Sequence, residues 1–215
     1  MPPKLLIATT NAGKAREIIA LLSHLPVECL QLSDLDPLPE ATEDGTTFEK
    51  NARAKAIHYG RLTRLPTVAE DAGLEIPVLD GWPGVESARV AANDADRIAA
   101  VLERVKAKNG SFHEAVFVSV AAFYDPISGK VETFRGVCQG NLLGEPRGKS
   151  GFGYDPIFLH PGYGKTLAEL TTEDKNLVSH RGQSIRALVR RLKEYDWGEE
   201  VPKEDPAASE VDTDQ

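Results

Sequence analysis

Leu5-Leu6-Ile7-Ala8, followed by Thr9-Thr10-Asn11-Ala12-Gly13-Lys14, decides the fold class. Four consecutive apolar residues that stop at a polar run read as a buried strand ending in a loop. Beyond Gly13 the apolar residues Ala15, Ile18, Ile19 and Leu22 recur at i, i+3, i+4 and i+7, the pattern of a helix laid on that strand. A strand that hands the chain to a helix N-terminus is a unit of α/β folds. The same place is a natural anion cradle, because backbone amides, the helix dipole, two hydroxyls and the Lys14 ammonium converge there. Read by itself, the segment is equally a capped helix with a solvated lysine.

Further along the chain, the spacing predicts a second helix from Thr47 to about Tyr59, capped by Thr46 or Thr47. Its apolar stripe is Phe48, Ala52, Ala56 and Tyr59, and at about 100° per residue Lys55 falls near the middle of that stripe. A lysine there is out of place on a purely structural face. Thr67-Val68-Ala69 reads as a strand running into Glu70-Asp71, with a loop at Ala72-Gly73 and an apolar stretch from Leu74 to Leu79. A third helix, capped by Asp94, carries Ile98, Val101, Leu102 and Val105 on one face. Ala115–Tyr124 and Lys130–Cys138 flank the turn signals Asp125-Pro126 and Ser128-Gly129, which predicts a hairpin. A Gly-rich loop (144–153), a short strand at 157–159 and a last helix with Ile185, Leu188, Val189 and Leu192 buried complete the pattern. Strands alternate with helices, but the hairpin breaks a purely parallel plan, so the expectation is α/β with a mixed sheet.

The 215 residues are 41% hydrophobic and 27% charged, enough to bury a sizeable core. The formal charge of −8 is uneven. Seven acids against Lys203 lie in residues 199–215, so the body over 1–198 is nearly neutral and offers no general footprint for a nucleic-acid polymer. The acidic tail lacks apolar periodicity and reads as disordered, leaving 1–198 as a single domain. Cys29 and Cys138 form no Cys-x-x-Cys pair and read as reduced thiols. The Leu5–Ala8 run is too short for a signal-peptide core and no segment is long enough to span a membrane, so the expectation is a cytoplasmic protein without a membrane partner.

Several residues could carry chemistry. Gly148-Lys149-Ser150 invites a P-loop reading, but the glycine spacing fails and no regular helix follows. Asp71 stands after a short strand and before Gly73, at a place where a carboxylate reaches the rim of a sheet, with Glu70 able to point the other way. Glu43 lies in the polar loop 42–45 ahead of the helix that carries Lys55. Two such carboxylates suit Mg²⁺, which takes one or two protein oxygens together with water and phosphate oxygens. Phe152-Gly153-Tyr154-Asp155-Pro156 joins an aromatic ring that can stack on a base to a backbone free to approach closely and a fixed carboxylate. Lys175, Ser179, His180 and Arg181 bring donors suited to carbonyl oxygens of a planar ligand. Taken alone, His180-Arg181 reads as the exposed first turn of the last helix.

Together, Thr9 to Lys14, Thr47 to Ala52, Glu70 to Leu74, Phe152 to Pro156 and Ser179 to Gly182 resemble, in order, the signatures of the inosine triphosphate pyrophosphatase (HAM1-like) family, over about residues 4 to 195. The resemblance implies a two-lobed α/β fold with a long central mixed sheet flanked by helices and the active-site cleft between the lobes. It also implies a homodimer and Mg²⁺-dependent hydrolysis of the purine nucleoside triphosphates ITP, dITP and XTP to the monophosphate and pyrophosphate. Position by position, Thr9, Thr10, Asn11, Ala12, Gly13, Lys14 and Lys55 match residues that bind the triphosphate. Glu43 and Asp71 match the metal ligands, Asp71 also the proton acceptor, and Ala72 beside it a substrate-lining position that brings no hydroxyl here. Phe152, Gly153, Tyr154, Asp155, Lys175, His180 and Arg181 match the surroundings of the base. Two other readings compete. A nucleotide sensor without turnover fits poorly with Lys14, Glu43, Lys55 and Asp71 all being present, and a Maf-like pyrophosphatase fits the Phe152 and His180 motifs less well.

Overall fold

A computed structural model of the chain describes residues 1–108 and 113–198; the acidic tail lies outside the described residues. Among the described residues the expected α/β plan is present as a seven-stranded open mixed sheet flanked by five α-helices. The strands are β1 (Lys4–Ile7), β2 (Glu28–Gln31), β3 (Thr67–Glu75), β4 (His113–Tyr124), β5 (Val131–Leu142), β6 (Phe158–His160) and β7 (Lys165–Thr166), in the spatial order β2-β1-β3-β4-β5-β6-β7. Both neighbours of β1 run parallel to it, and every later pairing is antiparallel. The helices are α1 (Ala12–Leu22), α2 (Phe48–Thr63), α3 (Asp94–Lys106), α4 (Thr172–Val178) and α5 (His180–Leu192). None of the helices among the described residues is long and apolar enough to cross a membrane.

The two sheet faces follow from the period of two along the strands. Leu5, Ile7, Val68, Ala121 and Phe123 pack under α1 and α5, whereas Leu6, Ala8, Ala69, Val120 and Ala122 pack under α2. A third core joins the far ends of β3, β4 and β5 to α3 and the chain around β6: Leu74, Ile76, Ile98, Val101, Phe117, Cys138 and Phe158. The long hairpin thus runs through two lobes, and the cleft opens between them.

Three expectations need correction. No loop interrupts the chain at Ala72-Gly73; β3 continues to Glu75, because the long β4 keeps pairing with it through Ala72↔Ser119 and Gly73↔Val118. The cap of α3 is Asn93, whose side chain accepts from the Asp96 amide, and Asp94 is the first helical residue. His180 and Arg181 start α5 as expected, but they are not an exposed turn: they are 4% and 2% exposed. The reason lies on β5, where a side chain at Gly136 would collide with the His180 carbonyl and the Ser184 amide, so glycine lets the start of α5 dock directly on the sheet.

Candidate active site

The site exists because β3 outruns β1. The two strands pair only through Leu6↔Thr67 and Ile7↔Val68, after which β1 gives way to the loop into α1 and β3 carries on alone past its carboxyl end. Open α/β sheets bind ligands at such carboxyl ends. There β3 presents Glu70 to the α1/α5 face and Asp71 to the α2 face, since successive side chains alternate. A cleft of about 400 Å³ opens over this point, within the range of a small-ligand site.

On the α2 side, Lys55 is buried within the apolar stripe and its ammonium stands 3.0 Å from Glu43 Oε2 and 3.6 Å from Asp71 Oδ1. It also donates to the Glu70 carbonyl at 3.0 Å. The misplaced lysine of the sequence is therefore the centre of a carboxylate pair. Asn51, one turn before it on the same stripe, donates from Nδ2 to Asp71 Oδ2 at 3.0 Å and accepts from the Gly45 amide at 2.8 Å. One buried amide thus ties the Glu43 loop to Asp71. Burial pushes the Asp71 carboxyl above the usual aspartate range, and Lys55, Lys14 and Asn51 offset this only in part.

The α5 side holds a buried ionic chain. Glu70, wholly buried, pairs with Lys14 at 2.9 Å and Arg181 at 3.1 Å, and accepts from the Ser119 hydroxyl at 2.8 Å. Burial alone would raise its carboxyl, but Arg181 and then Lys14 outweigh it and hold Glu70 well below the usual carboxylate range. Glu17 on α1 accepts from Arg181 at 2.6 Å and from Lys175 at 2.7 Å, and Lys175 also pairs with Asp155. Burial, followed by Arg181, depresses the His180 imidazole well below its ordinary value, so it is neutral near pH 7 while stacking 4.5 Å from the Phe117 ring. Among the described residues the buried His180 Nδ1 and Arg181 Nε atoms have no hydrogen-bond partner, an arrangement that calls for a ligand.

Thr9, Thr10, Asn11, Lys14, Glu43, Lys55, Asp71, Ala72, Phe152, Gly153, Tyr154, Asp155, His180 and Arg181 all line the cleft. Three sequence candidates do not. Ala12 borders a neighbouring groove, whereas Gly13 and Lys175 line a recess of about 240 Å³ that shares Phe152 with the cleft. Gly13 is needed beside that ring, since a Cβ would come within 2.7 Å of it. Lys175 lies 5.0 Å and the Arg181 guanidinium 5.3 Å from the ring centre. Tyr154 and Asp155 act inward: the Tyr154 hydroxyl donates to the Ser87 carbonyl at 2.8 Å, and Asp155 accepts from the Phe152 amide at 2.9 Å. Sequence reasoning missed Glu17, Asn51, Ser119 and the far rim of Arg89, Asp94 and Arg97. Asn51 had a readable signal, because it falls on the Phe48, Ala52, Lys55 stripe where a polar residue needs a partner.

Glu17 offers a test of the ionic chain. Replacing it by alanine removes an anion from between two buried cations, yet Arg181 keeps Glu70 and Lys175 keeps Asp155. We expect a loss of about 3 kcal/mol, the low end for breaking a buried pair, seen as a fall of roughly 6–12 °C in melting temperature. Burial raises the Glu17 carboxyl, but Arg181 and Lys175 outweigh it and the net shift is downward. Its contribution is therefore complete above the ordinary glutamate value of 4.5 and is lost as pH falls through the lower folded value. The parent and Glu17→Ala melting curves should converge on acidification, and coincident curves at pH 7 would contradict the pairing.

The profile of the Ham1 family matches residues 5–191. A dITP/XTP pyrophosphatase of Syntrophobacter fumaroxidans is 45% identical over 193 residues, covering 89% of this chain and 82% of that protein. One from Desulfotalea psychrophila is 42% identical over 191 residues, covering 87% and 84%. Among solved structures, a HAM1 protein from Coxiella burnetii superposes with a TM-score of 0.82 at 39% identity, covering 90% of this chain and all of that one.

Proposed function

The chain belongs to the Ham1 family, and from that premise we propose that it hydrolyses deaminated purine nucleoside triphosphates (ITP, dITP and XTP) to the monophosphate and pyrophosphate. The observation that carries the reading is the meeting of Lys14, Lys55, Glu43 and Asp71 where β3 outruns β1, in a cleft of about 400 Å³. Relatives that cover most of this chain are named dITP/XTP pyrophosphatases, which points to the same substrates.

The helix start at Asn11, with Thr9, Thr10 and Lys14 around it, favours the phosphates. Lys55 adds a second ammonium held in place by three oxygen partners. Asp71 takes a proton from the attacking water: burial makes it more basic than an ordinary aspartate, and Asn51 fixes one of its oxygens so that the other faces the cleft cation. The donor set also suits Mg²⁺. Glu43 and Asp71 already converge on one cation, the Lys55 ammonium, and the described residues contain no cluster of three or more ligands that would form an all-protein cage. That matches an ion that takes one or two carboxylates and completes its shell with water and substrate phosphates. When bound it supplies charge neutralisation for the polyphosphate. The homodimer implied by the resemblance is part of the same proposal.

The test is pyrophosphate release measured side by side with ITP, XTP, dITP, GTP, ATP and the pyrimidine triphosphates, with and without Mg²⁺. Release confined to the deaminated purines and dependent on Mg²⁺ is the expected result. Binding without release would make the chain a nucleotide sensor, and a preference for modified pyrimidines would favour a Maf-like activity.

A further inference from the structure

The cations that line the cleft are Lys14, Lys55, Arg89, Arg97 and Arg181, and four of them are already matched by carboxylates: Lys14 by Glu70, Lys55 by Glu43 and Asp71, Arg97 by Asp94, and Arg181 by Glu17 and Glu70. Among the described residues Arg89 is the one cleft cation that forms no ion pair. Its side chain makes one hydrogen bond among the described residues, from Nη2 to the Val85 carbonyl at 3.2 Å, which leaves most of the five guanidinium donors unused.

Although Arg89 is exposed, its backbone is firmly held. Ser87, two residues earlier, is buried and fixed three times: its hydroxyl donates to the Gly84 carbonyl at 2.6 Å and accepts from the Leu74 amide at 2.9 Å, while its carbonyl receives the Tyr154 hydroxyl. The segment starts from a bridge between Pro83 and Glu75 and packs so closely on β3 that a side chain at Gly73 would strike both the Gly84 carbonyl and the Ser87 hydroxyl. The Arg89 amide then bonds the Glu86 carbonyl at 2.7 Å. A turn bolted to β3 next to Asp71 thus delivers an uncommitted guanidinium to the cleft.

We propose that Arg89 binds the two outer phosphates of the triphosphate and the pyrophosphate they become. The proposal rests on the function proposed above. In the reaction the water oxygen bonds to phosphorus, the bridging P–O bond breaks with its electron pair going to pyrophosphate, and the water proton passes to Asp71. Arg89 joins none of these bonds. Its planar fork matches two phosphate oxygens and gains strength as negative charge gathers on the leaving group. The other cleft cations are partly neutralised by their acids, so the outer phosphates lack a full countercharge without it.

The experiment compares the full-length parent with Arg89→Gln and Arg89→Lys, measuring calorimetric binding of inorganic pyrophosphate and of IMP at one fixed Mg²⁺ concentration, together with ITP kinetics and melting temperature. In Arg89→Gln, pyrophosphate affinity should fall roughly 10–100-fold, the size of a lost charge-assisted contact, with kcat/KM for ITP falling alongside it. IMP binding and melting temperature should be unchanged, and Arg89→Lys should recover part of the loss. Unchanged pyrophosphate affinity in Arg89→Gln would overturn the assignment, and so would an equal loss for IMP. A parent chain that bound pyrophosphate yet hydrolysed no ITP would overturn the functional reading instead, with Arg89 then judged on the pyrophosphate comparison alone.

Discussion

Asp71→Asn is expected to fold as the parent does and to lose ITP hydrolysis by about 10²–10⁴-fold, the range for removing a positioned proton acceptor. The fold should survive because asparagine keeps the shape, and its amide can still meet Asn51, the partner at 3.0 Å. Lys55 also retains two close oxygens, Glu43 Oε2 and the Glu70 carbonyl, so the change strands no buried ammonium. What disappears is a carboxylate whose basicity burial has raised, and with it one of the two acids facing the Lys55 cation. The loss should therefore appear in kcat, with the melting temperature within a few degrees of the parent. Steady-state kinetics with ITP beside a thermal melt check both halves, and turnover at the parent rate would remove Asp71 from the chemistry.

Much of this arrangement was legible in the residues, for physical reasons that differ from place to place. The Leu5–Ala8 run and the α1 stripe announced the first strand-loop-helix unit, because continuous apolar residues and a 3.6 period leave few alternatives. Lys55 announced itself as an ammonium on an apolar stripe. Other features were silent. β2 reads Glu-Cys-Leu-Gln and is only partly buried, since it sits at the edge of the sheet beside β1, so it carries neither an apolar run nor an alternation. α4 is seven residues long and mostly polar, too short to show a period. At Ala72-Gly73 the glycine suggested a break, whereas its real service is to admit the Gly84–Ser87 turn against an unbroken strand. His180 and Arg181 looked exposed because nothing near them in sequence discloses Gly136, some forty positions earlier, on which their helix docks. Local pattern reveals elements; it does not reveal close approaches between distant ones, and the α5 half of the site is built from such approaches.

The largest discrimination should be between ITP and ATP, with kcat/KM differing by about 10⁴-fold, the size of effect seen when a site made for one hydrogen-bond pattern meets another. The buried groups around Phe152 set this difference. Lys175 and Arg181 flank that ring, and Arg181 Nε is buried with no hydrogen-bond partner among the described residues. Burial alone would lower the Arg181 pKa, but Glu70 and then Glu17 hold it above its ordinary value, so Nε is permanently a donor and never an acceptor. A base stacked at Phe152 with a 6-oxo group offers such a donor a carbonyl oxygen. Adenine offers an amino group there, so donor meets donor and two buried polar groups stay unpaired. GTP shares the 6-oxo group and should lose less than ATP from this contact. Values of kcat/KM for ITP, XTP, GTP and ATP measured together decide the matter: near-equal values for ITP and ATP would mean that the charged ring around Phe152 reads the phosphates or the fold, and not position 6 of the base.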